Sequence, residues 1–231
     1  MATKEIQLAN DKLPAHLQGM EESRGNENVE MDSMAMPRLK LIQKASNEVD
    51  PNHTDYMDGI KIGDFYNNLT QENYGNTFYA INVHFKNEYV AWKKMEKGGG
   101  LVGSFTTIPD AQEAVNNAAE KDGTNPEHYD INQTHTHVLL IKDGKTGELS
   151  SPILFDFASS KLRVSKTWNS QLQMKGGDRF AGLWQLKSIG TANRQGQSFM
   201  NLEVSFTGWA HEEDYKRAEK LYTEIEQAGS I

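Results

Sequence analysis

The stretch SSKLRVSKTWNSQLQMKGG, residues 159–177, carries Lys161, Arg163, Lys166 and Lys175 around Trp168, Asn169 and Gln171, and it holds no acidic side chain. The chain around it has 231 residues and a formal net charge of −8. From Lys161 to Arg194 there are seven basic residues, the others being Arg179, Lys187 and Arg194, against one acid, Asp178. This segment is therefore +6, and the rest of the chain is −14. Segregation of this kind creates a local field that the total charge hides. Cations along a surface neutralise phosphates, flat side chains stack on unpaired bases, and amides donate to phosphate or sugar oxygens.

Two further segments repeat the mixture. VAWKKMEKGGG places Trp92 beside Lys93, Lys94 and Lys97, and NRQGQSF brings Arg194 to a turn with Phe199 at the next strand start. Phe199 alternates with Asn201, Glu203 and Ser205, opposite the apolar Met200, Leu202, Val204 and Phe206, which predicts a polar-side position. Trp92, Phe199 and Trp168 are the candidate stacking residues. Lys93, Lys94, Lys97, Lys161, Arg163, Lys166, Lys175, Arg179 and Arg194 are the candidate phosphate contacts, with Asn169 as a neutral donor. Trp168 also stands at helical spacing from Leu172, which suits a core position. Trp184 and Trp209 read as core residues.

Other chemistries find less support. The chain has no cysteine, which excludes disulfides, thiolate metal sites and cysteine nucleophiles. KGGGLVG lacks the lysine and helix of a phosphate-cradling loop and reads as a flexible loop. The two imidazoles of HTH, His135 and His137, find no third ligand at a matching spacing and read as a half-exposed polar strand face. No carboxylate pattern matches a calcium loop, and a nuclease or nucleotide-handling enzyme has no motif to rest on. The expectation is a non-catalytic protein with no metal and no cofactor.

The elements that must position these residues are mostly strands. IKIGDFYN, TFYAINVHF and EYVAW read as short strands, the last two joined by a tight KN link. Alternation groups Tyr79, Ile81, Val83 and Phe85 on one face and Phe78, Asn82 and His84 on the other. DAQEAVNNAAEKDG has helical spacing with Asp110 as its N-cap. Residues 110–130 hold six acids and one base, which suits a solvated insertion. THTHVLLIKDGKTGELSSPILFDF reads as a hairpin, SSKLRVSKTWNSQL as a helix with Leu162, Ser165, Trp168 and Leu172 on one face, and LWQLKSIG with SFMNLEVSFTGW as a second hairpin. HEEDYKRAEKLYTEIEQ is an amphipathic helix. The fold class expected is β-rich α+β, with an OB-like small β-barrel, added helices and an amphipathic C-terminal helix. Residues 1–35 form a polar, flexible arm, 36–210 the main domain with an acidic helical insertion near 108–130, and 211–231 the terminal helix and tail. No secretory leader and no membrane-length apolar run are visible, so a cytoplasmic location is expected.

The segments MPRLKLIQKAS, GIKIGDFYNNLT, VHFKNEYVAWKK, SSKLRVSKTWNSQL and LEVSFTGWAHEEDYKRAEKLY together resemble a group of bacteriophage single-stranded-DNA-binding or replication-associated proteins, over roughly residues 36–223. That resemblance implies an OB-like barrel that coats single-stranded DNA during phage replication or recombination in the host cytoplasm, with replication or recombination proteins as further partners. Many such proteins end in an acidic tail with a terminal aromatic. TEIEQAGSI has Glu224 and Glu226 without one, so recruitment through a tail is not expected. The alternative expectation is a phage structural or protein-interaction module whose basic strip meets an acidic partner.

Overall fold

The computed structural model describes residues 35–229, so the arm expected over 1–35 lies outside the described residues except for its last position. Among the described residues nine strands form one sheet: β1 (Arg38–Leu41), β2 (Phe65–Asn67), β3 (Asn73–Gly75), β4 (Thr77–Lys93), β5 (Leu101–Phe105), β6 (Tyr129–Lys142), β7 (Ile153–Ala158), β8 (Gly182–Ala192) and β9 (Ser198–Trp209). Three helices join them: α1 (Ile108–Lys121), α2 (Lys161–Lys175) and α3 (Glu212–Ala228). The strand order is β3-β2-β1-β7-β6-β4-β8-β9, with β5 added beside the far part of β4. Every pairing is antiparallel except β1 with β7. The fold is a β-rich α+β architecture whose sheet curls into an open half-barrel.

The two longest strands explain the curl. No proline interrupts β4, and it pairs with β6 from Tyr79↔Lys142 to Lys93↔Tyr129. The expected turn at Lys86–Asn87 is absent, because both residues pair in the ladder, with Thr136 and His135. The break in alternation lies earlier, at a bulge between Asn82 and His84. An extra residue there switches the face of everything beyond it and increases local twist. Phe85 therefore joins Asn82 on the inner face, opposite His137, and His84 passes to the outer face, the reverse of the grouping that plain alternation predicts.

Three cores follow. Inside the curl, Phe65, Phe78, Leu139, Phe155, Phe157, Trp184 and Leu202 pack with Trp168 of α2. On the outer face, Ile81, Val83 and Leu140 are covered by Tyr215, Ala218, Leu221 and Ile225 of α3, with Phe180 between. At the far end of β4 and β6, Val115 and Ala119 of α1 pack on Ala91 and Tyr129. The acidic insertion is thus not merely solvated, since its small apolar stripe closes a core of its own. Its N-cap is Thr107, whose Oγ1 accepts from Asp110 N at 3.3 Å, and Asp110 sits inside the first turn.

The open ends of the curl are stitched by a side chain. Gln43, just beyond β1, donates from Nε2 to Met200 O (3.0 Å) and accepts from Met200 N (2.8 Å). An amide thereby satisfies one residue of the free edge of β9 as a strand would, and unpaired edges template aggregation.

Candidate nucleic-acid interface

Helix α2 rests across the half-barrel on a polar seat. Ser165, fully buried, lies between two imidazoles: His135 Nδ1 is 2.8 Å and His137 Nε2 2.7 Å from its Oγ. With the Asn82 amide turned so that its oxygen accepts from His137 Nδ1 (2.9 Å) and Arg179 Nη1 (3.2 Å), its nitrogen donates to His84 O. Every proton then has a place: His137 carries its proton on Nδ1, Ser165 donates to His137 Nε2, and His135 Nδ1 donates to Ser165. Both rings are neutral in this arrangement. Burial depresses the His137 pKa well below the ordinary imidazole value, with Arg179 and His135 adding to the effect. Burial also lowers His135, helped by Lys166. The half-exposed polar face expected for HTH is corrected by this packing: His135 is 5 % exposed and His137 is inaccessible. Among the described residues no group of three potential ligands could hold a metal ion.

The seat also decides the role of Trp168. Its ring stacks on His137 at 4.8 Å and 17°, meets Trp184 edge-on at 5.9 Å, and is 1 % exposed. Trp168 offers no free face to a base, so its candidacy as a stacking residue is corrected. Arg179 and Asn169 turn inward as well. Arg179 Nη2 donates to Asn169 Oδ1 at 3.0 Å, and the guanidinium lies 5.2 Å from the Phe85 ring, its pKa brought down to about 10 by burial. These two brace α2 to the sheet instead of facing phosphates. Lys161 is half-buried with its ammonium 5.1 Å from the Phe155 ring, and burial lowers its pKa while Asp156 opposes the shift.

The outer face of α2 carries Arg163, Lys166 and Lys175, all exposed. Among the described residues none of them forms an ion pair with a carboxylate. Lys175 Nζ stands 4.3 Å over the Phe206 ring, and Phe206 meets Trp209 edge-on at 5.2 Å. Trp209 is 56 % exposed, which corrects its reading as a core residue. A register shift between Leu183 and Trp184 makes Thr207 an extra residue and pairs Trp209 with Gly182, bringing it beside Gly177 past the end of α2. The signal lay in FTGW, where a small flexible residue after a β-branched one can mark a bulge.

The other candidates stand elsewhere. Trp92, 46 % exposed, pairs with Leu101 and Asp130. Its neighbour Ala91 lies under α1, so Trp92 projects from the opposite face of the sheet to α1 and α2. Lys93 pairs with Asp122 at 2.5 Å and Lys94 with Asp130 at 3.6 Å, so the two are already neutralised, while Lys97 is exposed in the loop. Arg194 is exposed in the β8–β9 turn, and Phe199 is half-buried opposite Thr191. The fold does not gather the expected residues into one groove. It separates the α2 face from the β4–β6 arm and from the hairpin tip.

The family model described as Pam3 phage gp34-like protein matches residues 3–230. No curated protein and no solved structure matches the chain. Among the described residues no helix is long and apolar enough to cross a membrane.

Proposed function

The chain belongs to the Pam3 phage gp34-like family and is a phage protein, and we propose that it binds single-stranded DNA along the outer face of α2, without catalysis and with little sequence preference, during phage DNA replication or recombination. On this reading the half-barrel is the OB-like platform, Arg163, Lys166 and Lys175 meet phosphates, and Trp209 beside Phe206 supplies the stacking surface.

The observation that carries the proposal is where the charges of α2 stand. A helix N-terminus favours acids and disfavours cations, by about 0.3–1 kcal/mol per charge. The first turn of α2 holds Lys161 and Arg163 and no acid. Lys161 packs on Phe155, but Arg163 is exposed without an ion pair among the described residues, and in a chain of net charge −8 its place does nothing for the helix and suits a polyanion. A polyanion that must stay single-stranded is favoured because an exposed aromatic suits splayed bases.

The test is a titration with oligo-dT at two salt concentrations, followed by tryptophan fluorescence. Quenching, with binding that weakens as salt rises, is expected. A second reading, a protein-interaction module, has its own observation: Trp92 and Leu101 are paired and both exposed on the arm. Such a module gives neither quenching nor salt-dependent binding with oligo-dT, and release of nucleotides from the oligonucleotide points to a nuclease.

A further inference from the structure

Between α2 and strands β8 and β9 lies a groove of about 360 Å³, walled on the helix side by Arg163, Trp168 and Gln171 and on the strand side by Lys187, Glu203 and Val204. Among the described residues no strand follows β9 in the sheet, so the groove is bounded by α2 and the sheet edge. Its size falls within the range of about 300–1,000 Å³ usual for small-molecule sites.

Two polar atoms among the groove residues have no hydrogen-bond partner among the described residues, the donor Trp168 Nε1 and the acceptor Gln171 Oε1. Unmet buried groups are uncommon in folded proteins, and each needs a reason. Residues 168 and 171 are three apart in one helix, so they share a face. A buried donor and a buried acceptor thus belong to two neighbouring residues that line the groove, with Arg163 on the same wall.

We propose that this groove takes one unstacked base of a bound strand, the base edge accepting from Trp168 Nε1 and donating to Gln171 Oε1. The inference rests on the single-stranded DNA reading of α2 and adds a base-binding subsite to it. Unpaired bases are recognised elsewhere through hydrogen bonds on their pairing edges. All four present an acceptor beside a donor there, so the groove selects for a base without selecting one of the four. Both protein atoms are shut off from solvent in the free chain. Gln171, half-buried at the rim, is the side chain that swings to admit the base. Arg163 on the helix wall attracts phosphate, which holds the backbone toward the helix.

The experiment uses the full chain, labelled so that the four tryptophan indole N–H groups are resolved by NMR, with a Trp→Phe variant identifying Trp168. It is titrated with a short oligo-dT and with an abasic oligonucleotide of equal length. The Trp168 resonance should move with oligo-dT and not with the abasic strand. Gln171→Leu should weaken oligo-dT binding about three- to tenfold, the effect of one hydrogen bond, and leave abasic binding at the wild-type level. If the wild type binds both strands, the Trp168 resonance stays still and Gln171→Leu changes nothing, the groove assignment is wrong while the reading of α2 stands. If neither strand binds the wild type, the reading of α2 fails and the groove proposal falls with it.

Discussion

Helices α2 and α3 lie on opposite faces of the same sheet and differ most in how their charges are placed. Helix α3 opens with Glu212, Glu213 and Asp214, acids at the end where the helix dipole favours them. Its cations have partners, Lys216 with Glu212 and Lys220 with Glu224, and Asp214 holds Lys142 of β6 at 2.6 Å. Helix α2 opens with Lys161 and Arg163, carries no acid, and leaves its outer cations without ion pairs among the described residues. The charges of α3 serve its own docking. Arg163 and Lys166 of α2 take no part in such docking, and the helix is held on the sheet chiefly by Trp168, Ser165 and the imidazoles beneath. The same contrast separates α2 from the arm, where Lys93 and Lys94 are matched to Asp122 and Asp130.

The largest expected effect concerns the seat. Trp168→Ala should cost about 3–5 kcal/mol of stability, as deletion of a fully buried aromatic does, whereas Tyr222→Ala on α3, 37 % exposed, should cost clearly less. Urea denaturation of both variants gives the comparison, and equal losses would contradict the asymmetry of the two docking faces.

Next comes the exposed aromatic. Trp209→Ala should weaken oligo-dT binding by about 1–3 kcal/mol if its ring stacks. Trp92→Ala, on the opposite face of the sheet, should leave binding by the α2 face unchanged. A loss with Trp92 and none with Trp209 would move the interface to the arm.

The polar seat supplies a smaller effect. Ser165→Ala leaves two imidazoles without their shared partner and should cost about 1–3 kcal/mol. The seat also sets a pH dependence. Both histidines have folded-state pKa values below the ordinary 6.5. Between those values and 6.5 the unfolded chain binds protons that the folded chain does not, so stability is full above about 6.5 and declines as pH falls toward the folded-state values. Thermal melts from pH 8 down to the acid limb should show this decline, and a His137→Gln variant should show less of it. A melting temperature constant across that window would mean that the histidines are not held neutral.

Smallest is the effect of Asp122→Asn, which frees Lys93 on the arm. It should leave the affinity for oligo-dT near the wild-type value in a filter-binding titration, and a marked gain would show that the arm shares the interface.

Much of this architecture was legible in the residues. The β8–β9 hairpin showed in alternation about NRQGQ, α3 in its apolar spacing, and α2 in Leu162, Ser165, Trp168 and Leu172, of which Ser165 and Trp168 are buried. Two of the failures share one cause. Alternation carries a strand's facing forward only while the register holds, and a single extra residue reverses it. The bulge at Asn82–His84 moved Phe85 inward, and the extra Thr207 brought Trp209 to the end of α2. Ion pairing was equally hidden, because Asp122 meets Lys93 across 29 positions of sequence. The polar seat escaped for another reason: His135 and His137 look like a wet strand face until Ser165, 30 and 28 positions later, is seen to cover them.

The most direct test of the central claim is the salt dependence of oligo-dT binding by the wild type and by an Arg163→Gln/Lys166→Gln variant. If the cations of α2 neutralise phosphates, the variant should bind every oligonucleotide more weakly, and its plot of log affinity against log salt should flatten by about 0.7 for each phosphate that is no longer neutralised. Its folding stability should stay level or rise slightly, since one unpaired cation leaves the first turn of the helix. Wild-type affinity with an unchanged slope would contradict the account and leave the basic face of α2 to a different partner.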